Sequence, residues 1–223
     1  MVSVLSDIAA EDYLKAIVKA LAELDKTELT TGEVAALLSV TPGTATAMLK
    51  KLEKDGYVRY KKYHGCTLTE KGTRYGIAVV RRHRLLEKFL SSLFNMTDEE
   101  IHADAEHMEH AVSQKLIDCI DEYLGYPERN QTGSLIPRKN QKRLVTDMPL
   151  AKIPPKTFFK IIRLPDKAEQ KKYCIELGLV EGTCVQLCEK QPTVGIAVLK
   201  TKKAANIRCP LVLLDTIFVE RSE

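Results

Sequence analysis

The chain has 223 residues, with 34 Lys and Arg against 30 Asp and Glu for a formal net charge of +4, and 44% of its residues are hydrophobic. This composition suits one large or two small globular cores and excludes a disordered or collagen-like chain. No apolar run approaches the ~18 residues of a membrane span, and Asp7, Glu11 and Asp12 stand where a secretory leader would be basic and then apolar, so a cytoplasmic location without a membrane partner is expected. The six Cys contain no Cys-x-x-Cys pair, Cys184 and Cys188 coming nearest, and read as free thiols.

Leu14, Ile17, Val18 and Leu21 recur at helical spacing and predict an opening helix. Thr30-Thr31-Gly32-Glu33 is a capping-box pattern that starts a short second helix carrying Val34, Leu37 and Leu38. Thr41-Pro42, an N-cap followed by Pro at the first helical position, starts a third, which buries Ala45, Met48, Leu49 and Leu52 before Asp55-Gly56 ends it. Residues 57–62, a turn at His64-Gly65 and residues 66–69 read as a two-stranded hairpin. A long helix is expected from about Glu70 to Phe94, and a pair of helices from the Thr97–Glu100 capping box to about Leu124. Prolines at 127, 137, 149, 154 and 155 mark a linker-like stretch from roughly Gly125 to Lys156. After it come short apolar runs at 158–162, 185–187, 194–199 and 211–219, which read as strands. The expected fold is mainly α with a small β domain: a winged helix-turn-helix over residues 1–75, a helical domain over 76–140, a linker over 141–156 and a β-rich domain over 157–223.

The charges are segregated. Between Lys50 and Arg74 eight bases face three acids, a local +5, whereas the stretch from Asp98 to Glu109 holds six acids and no Lys or Arg. Four of the five histidines lie between positions 83 and 110.

Helix, short turn, Pro-started helix and basic hairpin, in that order, is the pattern of a winged helix-turn-helix. Its hydroxyl-rich helix start suits entry into the major groove of double-stranded DNA, while backbone amides and a Lys- and Arg-bearing wing suit phosphates. Thr31, Thr41, Thr44, Thr46, Lys50, Lys51, Arg59 and Lys61 are the candidate DNA contacts. The plain alternative is a three-helix packing unit with a solvated basic face.

The second feature is the acidic helix. His102, Glu106, Glu109 and His110 fall at i, i+4, i+7 and i+8 and gather on one face, with His83 and Glu87 an i, i+4 pair on the preceding helix. Imidazoles and carboxylates without Cys or Met suit a divalent transition metal and disfavour soft ions. Each residue alone reads as a surface His or Glu, leaving His64 and His107 as ordinary surface or packing residues.

These stretches carry a resemblance. The wing, Arg82-His83-Arg84-Leu85-Leu86-Glu87, the run from His102 to His110, the opening Glu11-Asp12-Tyr13-Leu14-Lys15 and the segment Gly133-Ser134-Leu135-Ile136-Pro137 resemble the diphtheria toxin repressor family of metal-dependent transcriptional regulators. The tail, with its turn at Glu176-Leu177-Gly178-Leu179-Val180-Glu181-Gly182, is similar to the SH3-like β-barrel, or FeoA, domain of many members. The resemblance implies a helical metal-binding and dimerisation domain over 76–140, a homodimer and a palindromic operator. It implies a primary metal site of Asp12, Glu106, Glu109 and His110. It also implies an ancillary site of His83, Glu87 and His102, to which Glu169 or Gln170 of the tail could add.

Iron-responsive members have Met and Cys where this chain has Asp12 and Glu106, so the two carboxylates are similar to the manganese-responsive branch, and oxygen-rich sites suit Mn²⁺. Lys15 stands where some manganese regulators offer a second acid. The implied function is a Mn²⁺-dependent repressor of metal-uptake genes, not an enzyme, in which metal fixes the DNA-binding lobe against the dimerising helices. The alternatives are an Fe²⁺-responsive repressor of the same family or one answering to another divalent transition metal, a metallohydrolase, and a winged-helix regulator whose acidic helix only caps a dimer surface.

Overall fold

The computed structural model describes residues 8–24, 26–62, 64–145, 148–165 and 167–221. They fall into two compact units, Met1–Thr146 and Asp147–Glu223.

In the first unit α1 (Ile8–Glu23) is followed by α2 (Thr31–Leu37) and α3 (Pro42–Lys54). The capping signals act as their chemistry requires: the Thr30 hydroxyl accepts from Glu33 N–H while the Glu33 carboxylate accepts from Thr30 N–H, and the Thr41 hydroxyl accepts from Thr44 N–H ahead of Pro42. At the end of α3, Gly56 takes φ +76°, so the Tyr57 amide reaches Leu52 O at 2.8 Å and the chain turns into the wing. The wing pairs β1 (Val58–Lys61) antiparallel with β2 (Gly65–Leu68), and Leu29 bridges to Cys66. Buried Ala10, Leu14, Ile17, Val34, Ala45, Leu49, Leu52, Tyr57 and Val58 share one core. Met48 of the expected apolar stripe is only partly buried.

The long α4 (Glu70–Leu93) is the spine of this unit. Its first half contributes Tyr75 and Val79 to the winged-helix core. Its second half contributes Leu85, Leu86 and Leu90 to another core, shared with α5 (Asp98–Met108) and α6 (Gln114–Tyr123). Gly76 sets the crossing with α1: a Cβ there would meet Leu14 O at 2.7 Å, so only glycine allows this approach. α5 ends one residue before Glu109, which caps it in helical conformation, so the expected i, i+7, i+8 face persists just past the helix end.

The fold departs from the sequence expectation in two stretches. The stretch from Gly125 to Lys156 is not a plain linker, and neither is 141–156. Residues 128–137 fold back, with an Arg129–Leu135 bridge, buried Ile136 and Arg81 donating to Pro137 O, and buried Leu144 joins Val18, Ile77 and Val80. Met148–Pro149 pairs with the last strand, and Leu150 and Ile153 lie in the second core, because apolar side chains between these prolines have a core to fill. The run 211–219 is likewise not one strand: Leu211–Leu214 is a helical turn, α8, and only from Phe218 does the chain extend.

The second unit is a six-stranded antiparallel sheet in the order β3 (Met148–Pro149), β8 (Phe218–Arg221), β4 (Phe158–Arg163), β5 (Cys184–Gln191), β6 (Ile196–Thr201), β7 (Ile207–Pro210). Alternating burial along β6 sends Ala197 and Leu199 inward with Ile161, Val185, Leu187 and Val219. Helix α7 (Ala168–Glu176), unforeseen in the sequence because only Cys174 of its nine residues is buried, leads into the Glu176–Gly182 turn. Among the described residues no helix is long and apolar enough to cross a membrane.

Candidate metal centre and nucleic-acid interface

Asp12 lies in the first turns of α1, His83 and Glu87 on the second half of α4, His102 and Glu106 on α5, and Glu109 and His110 just after it. Packing of α1 and α5 against α4 brings all seven together as two adjoining clusters. In one, Asp12, Glu109 and His110 offer ligand atoms within 4.8 Å of one another, and in the other His83, His102 and Glu106 do. Glu106, expected beside Asp12, therefore groups with the two histidines. Glu87 Oε1 stands 3.0 Å from both His83 Nε2 and His102 Nδ1. Glu109, fully buried, joins the clusters: its Oε2 is 2.8 Å from His83 Nδ1 and its Oε1 3.5 Å from His110 Nε2.

The residues fit a divalent cation. Asp12 Oδ1, His83 Nδ1 and Glu109 Oε2 are buried and make no well-aligned hydrogen bond, although His110 Nε2 stands 3.1 Å from Asp12 Oδ1. Oxygen and nitrogen donors converging in this way, without sulfur, match the preferences of Mn²⁺ or Fe²⁺.

Electrostatics reflect the crowding. Burial pushes the Asp12 carboxyl above its ordinary range, and the Glu106 and Glu109 carboxylates add to this against His110 and Lys15. Burial would also raise Glu87, but His83, His102 and Asn130 overcome it and hold its pKa at about 2. His83 moves up: burial opposes its charge, and the Glu109 and Glu87 carboxylates more than offset that.

Sequence reasoning missed two supporting groups, Glu11 and Asn130, and placed a third, Lys15, without its partners. Glu11, 4% exposed, accepts from Tyr75 OH, from Arg82 at 2.9 Å and from His110 Nδ1 at 2.8 Å. Asn130 donates to Glu87 Oε2 at 2.6 Å. Lys15 reaches both Glu106 and Glu109 at 2.7 Å. The only signal for Glu11 was an acid beside Asp12, and for Asn130 a position inside an apparent linker. Glu169 and Gln170 lie in the first turn of α7, in the other unit. His107 belongs to neither cluster, and its Nδ1 donates to Ala103 O at 2.8 Å.

The candidate DNA contacts are exposed or half-buried. Thr31, Thr46 and Lys50 line a groove of about 380 Å³ with Thr30, Gly32, Pro42, Tyr60, Lys62 and His64, between the starts of α2 and α3 and the wing. Thr41 and Thr44 hydroxyls are 2.9 Å apart, and the Thr46 hydroxyl donates to Pro42 O. Lys51, Arg59 and Lys61 lie outside that lining.

Comparison with known proteins follows the same division. Residues 8–66 match the iron dependent repressor N-terminal DNA binding domain, 69–138 the iron dependent repressor metal binding and dimerisation domain, and 148–221 the FeoA domain. The HTH-type transcriptional regulator MntR of Lysinibacillus sphaericus is 40% identical over 120 residues, 54% of this chain and 84% of that protein. The chain belongs to the diphtheria toxin, or iron-dependent, repressor family. Within this repressor family two solved structures are similar over both units' lengths. "Structure of the manganese regulator SloR" is 28% identical with a TM-score of 0.61, covering 96% of this chain and 98% of that one. "Manganese-dependent transcriptional repressor complex with manganese" is 28% identical with a TM-score of 0.63, covering 96% and 100%. A member of this family is a transcriptional regulator and not an enzyme, so the metallohydrolase alternative falls.

Proposed function

We propose that the protein is a Mn²⁺-dependent repressor that binds a palindromic operator as a homodimer in the cytoplasm and controls metal-uptake genes. The observation that carries this reading is the bridging donor set: Asp12 belongs to the helix that completes the winged-helix core, and Glu109 and His110 directly follow the helix that packs in the second core. A divalent ion shared by them would supply the attraction that these donors lack among themselves. Asp12 would then hold α1 against α5, and with it the set of α3 relative to a partner's α3 on DNA. Leu116, Cys119 and Tyr123 form an exposed stripe at i, i+3 and i+7 on α6, with Tyr123 edge-on to Phe89 of α4, and suit a symmetric dimer face.

The donor set carries the choice of metal. Asp12 and the three glutamates supply hard oxygens, and among the described residues no Cys joins either cluster. An Fe²⁺-responsive repressor of the same architecture is the second reading, since imidazole-rich His83–Glu87–His102 also suits iron. Operator binding measured metal by metal under anaerobic conditions separates the two: half-maximal binding at a lower free concentration of Mn²⁺ than of equally buffered Fe²⁺ is expected. A response to Fe²⁺ alone would overturn the manganese reading. A Mn²⁺-induced rise in melting temperature is expected as well, and none would arise if the acidic helix merely capped a dimer.

A further inference from the structure

The two clusters already contain a cation. Lys15, one turn after Asp12 on α1 and itself buried, places its ammonium 2.7 Å from Glu106 Oε2 and 2.7 Å from Glu109 Oε1. Glu109 is fully buried, and Asp12 faces the same space. Three carboxylates brought this close repel one another, and burial deprives them of water. The ammonium relieves both costs, so Glu106 and Glu109 can stay ionised in the metal-free chain. The same contact works against a divalent ion, because carboxylate lone pairs committed to Lys15 Nζ must be released before they can serve as ligands.

We propose that Lys15 is a tethered competitor of the regulatory metal for Glu106 and Glu109, and that it sets the free-metal concentration at which the repressor responds. The lysine is built for this. Its charge is single and compact, so a divalent ion wins when abundant, and its four-carbon stem lets the ammonium swing toward solvent while the methylenes stay packed. Its covalent attachment to α1 gives it a constant local concentration, which makes the competition a fixed offset in metal affinity. This inference rests on the metal-regulated reading above.

The test is Mn²⁺ titration of the full-length chain without DNA, by calorimetry and by Mn²⁺ electron paramagnetic resonance, for wild type, Lys15→Met and Lys15→Gln. Both variants are expected to bind Mn²⁺ at least about tenfold more tightly than wild type, while their metal-free melting temperatures fall. An ion pair that is only structural would lower stability and metal affinity together, so unchanged or weaker Mn²⁺ binding by the folded variants overturns the proposal. Acylation of wild-type Lys15 followed by mass spectrometry needs no variant: labelling is expected to rise when Mn²⁺ is added, and labelling that stays at the metal-free level overturns the proposal equally. Failure of wild type to bind Mn²⁺ at all would count against the regulatory reading itself, and is thereby separate from a wild type that binds while the variants fail to gain.

Discussion

Glu11 Oε2 accepts a hydrogen bond from His110 Nδ1 at 2.8 Å, and the opposite ring nitrogen of His110 lies 3.1 Å from Asp12 Oδ1. A carboxylate can only accept, so Nδ1 carries the proton and Nε2 is turned toward the cluster with Asp12. Two consecutive residues of α1 thus act on the two ends of one imidazole, Glu11 orienting it and Asp12 facing its ligand atom. Tyr75 and Arg82 of α4 in turn hold Glu11, whose carboxyl is kept below its usual range despite burial by these donors and His110. Glu11→Gln is therefore expected to weaken Mn²⁺ binding by about 10- to 100-fold, read by calorimetric titration. Unchanged affinity would mean that His110 is not oriented through Glu11.

Gly76 is the contact that fixes how closely α1 approaches α4. A methyl group there meets Leu14 O and the Val18 side chain, so Gly76→Ala is expected to cost about 1–3 kcal/mol of stability, seen in urea unfolding. It should also weaken metal binding, since moving α1 outward carries Asp12 away from Glu109 and His110.

The pH dependence of the metal-free protein has two limbs of opposite sign. Glu87 has a folded pKa of about 2, below its ordinary value, so its contribution is present above the unfolded pKa and is lost as pH falls toward 2. His83 has a raised folded pKa, so its contribution is present below the unfolded value and is lost as pH rises through the folded one. Melting temperatures without metal should thus decline on both sides of the weakly acidic range, and Glu87→Gln should flatten the acid limb and only reduce the alkaline one, where Glu109 still pairs with His83.

On the DNA side, Lys50 lines the groove between α2, α3 and the wing, and Arg59 projects from β1. If each contacts a phosphate, Lys50→Ala and Arg59→Ala should each lower the slope of log affinity against log salt by about 1 and weaken all sequences alike. Fluorescence anisotropy at several salt concentrations checks this. A change confined to one operator position would instead identify a base contact.

The winged helix was legible because its signals are local: Thr30 and Glu33, Thr41 and Pro42, and Gly56 each act within one turn of chain. The donor residues were legible as types and spacings on α4 and α5. Their sorting was not, because whether Glu106 meets Asp12 or His83 depends on the α1–α4–α5 packing, and the partner that draws Glu106 is Lys15, 91 residues away. Asn130 and Ile136 were hidden for the opposite reason, since proline and glycine around them signal a loop whether or not it packs. Helix α7 escaped because its apolar residues, Ala168 and the run Tyr173-Cys174-Ile175, do not recur at helical spacing, and only Cys174 joins the core of the sheet.

The central claim is that Asp12 on the DNA-binding lobe and Glu109 and His110 after α5 act through one metal to govern operator binding. A gel-shift titration of operator DNA with wild type and Asp12→Ala, each with and without Mn²⁺, tests it most directly. Wild type should bind tightly only with Mn²⁺, and Asp12→Ala weakly in both conditions; Asp12→Ala binding as tightly as wild type, or wild type indifferent to Mn²⁺, would contradict the account.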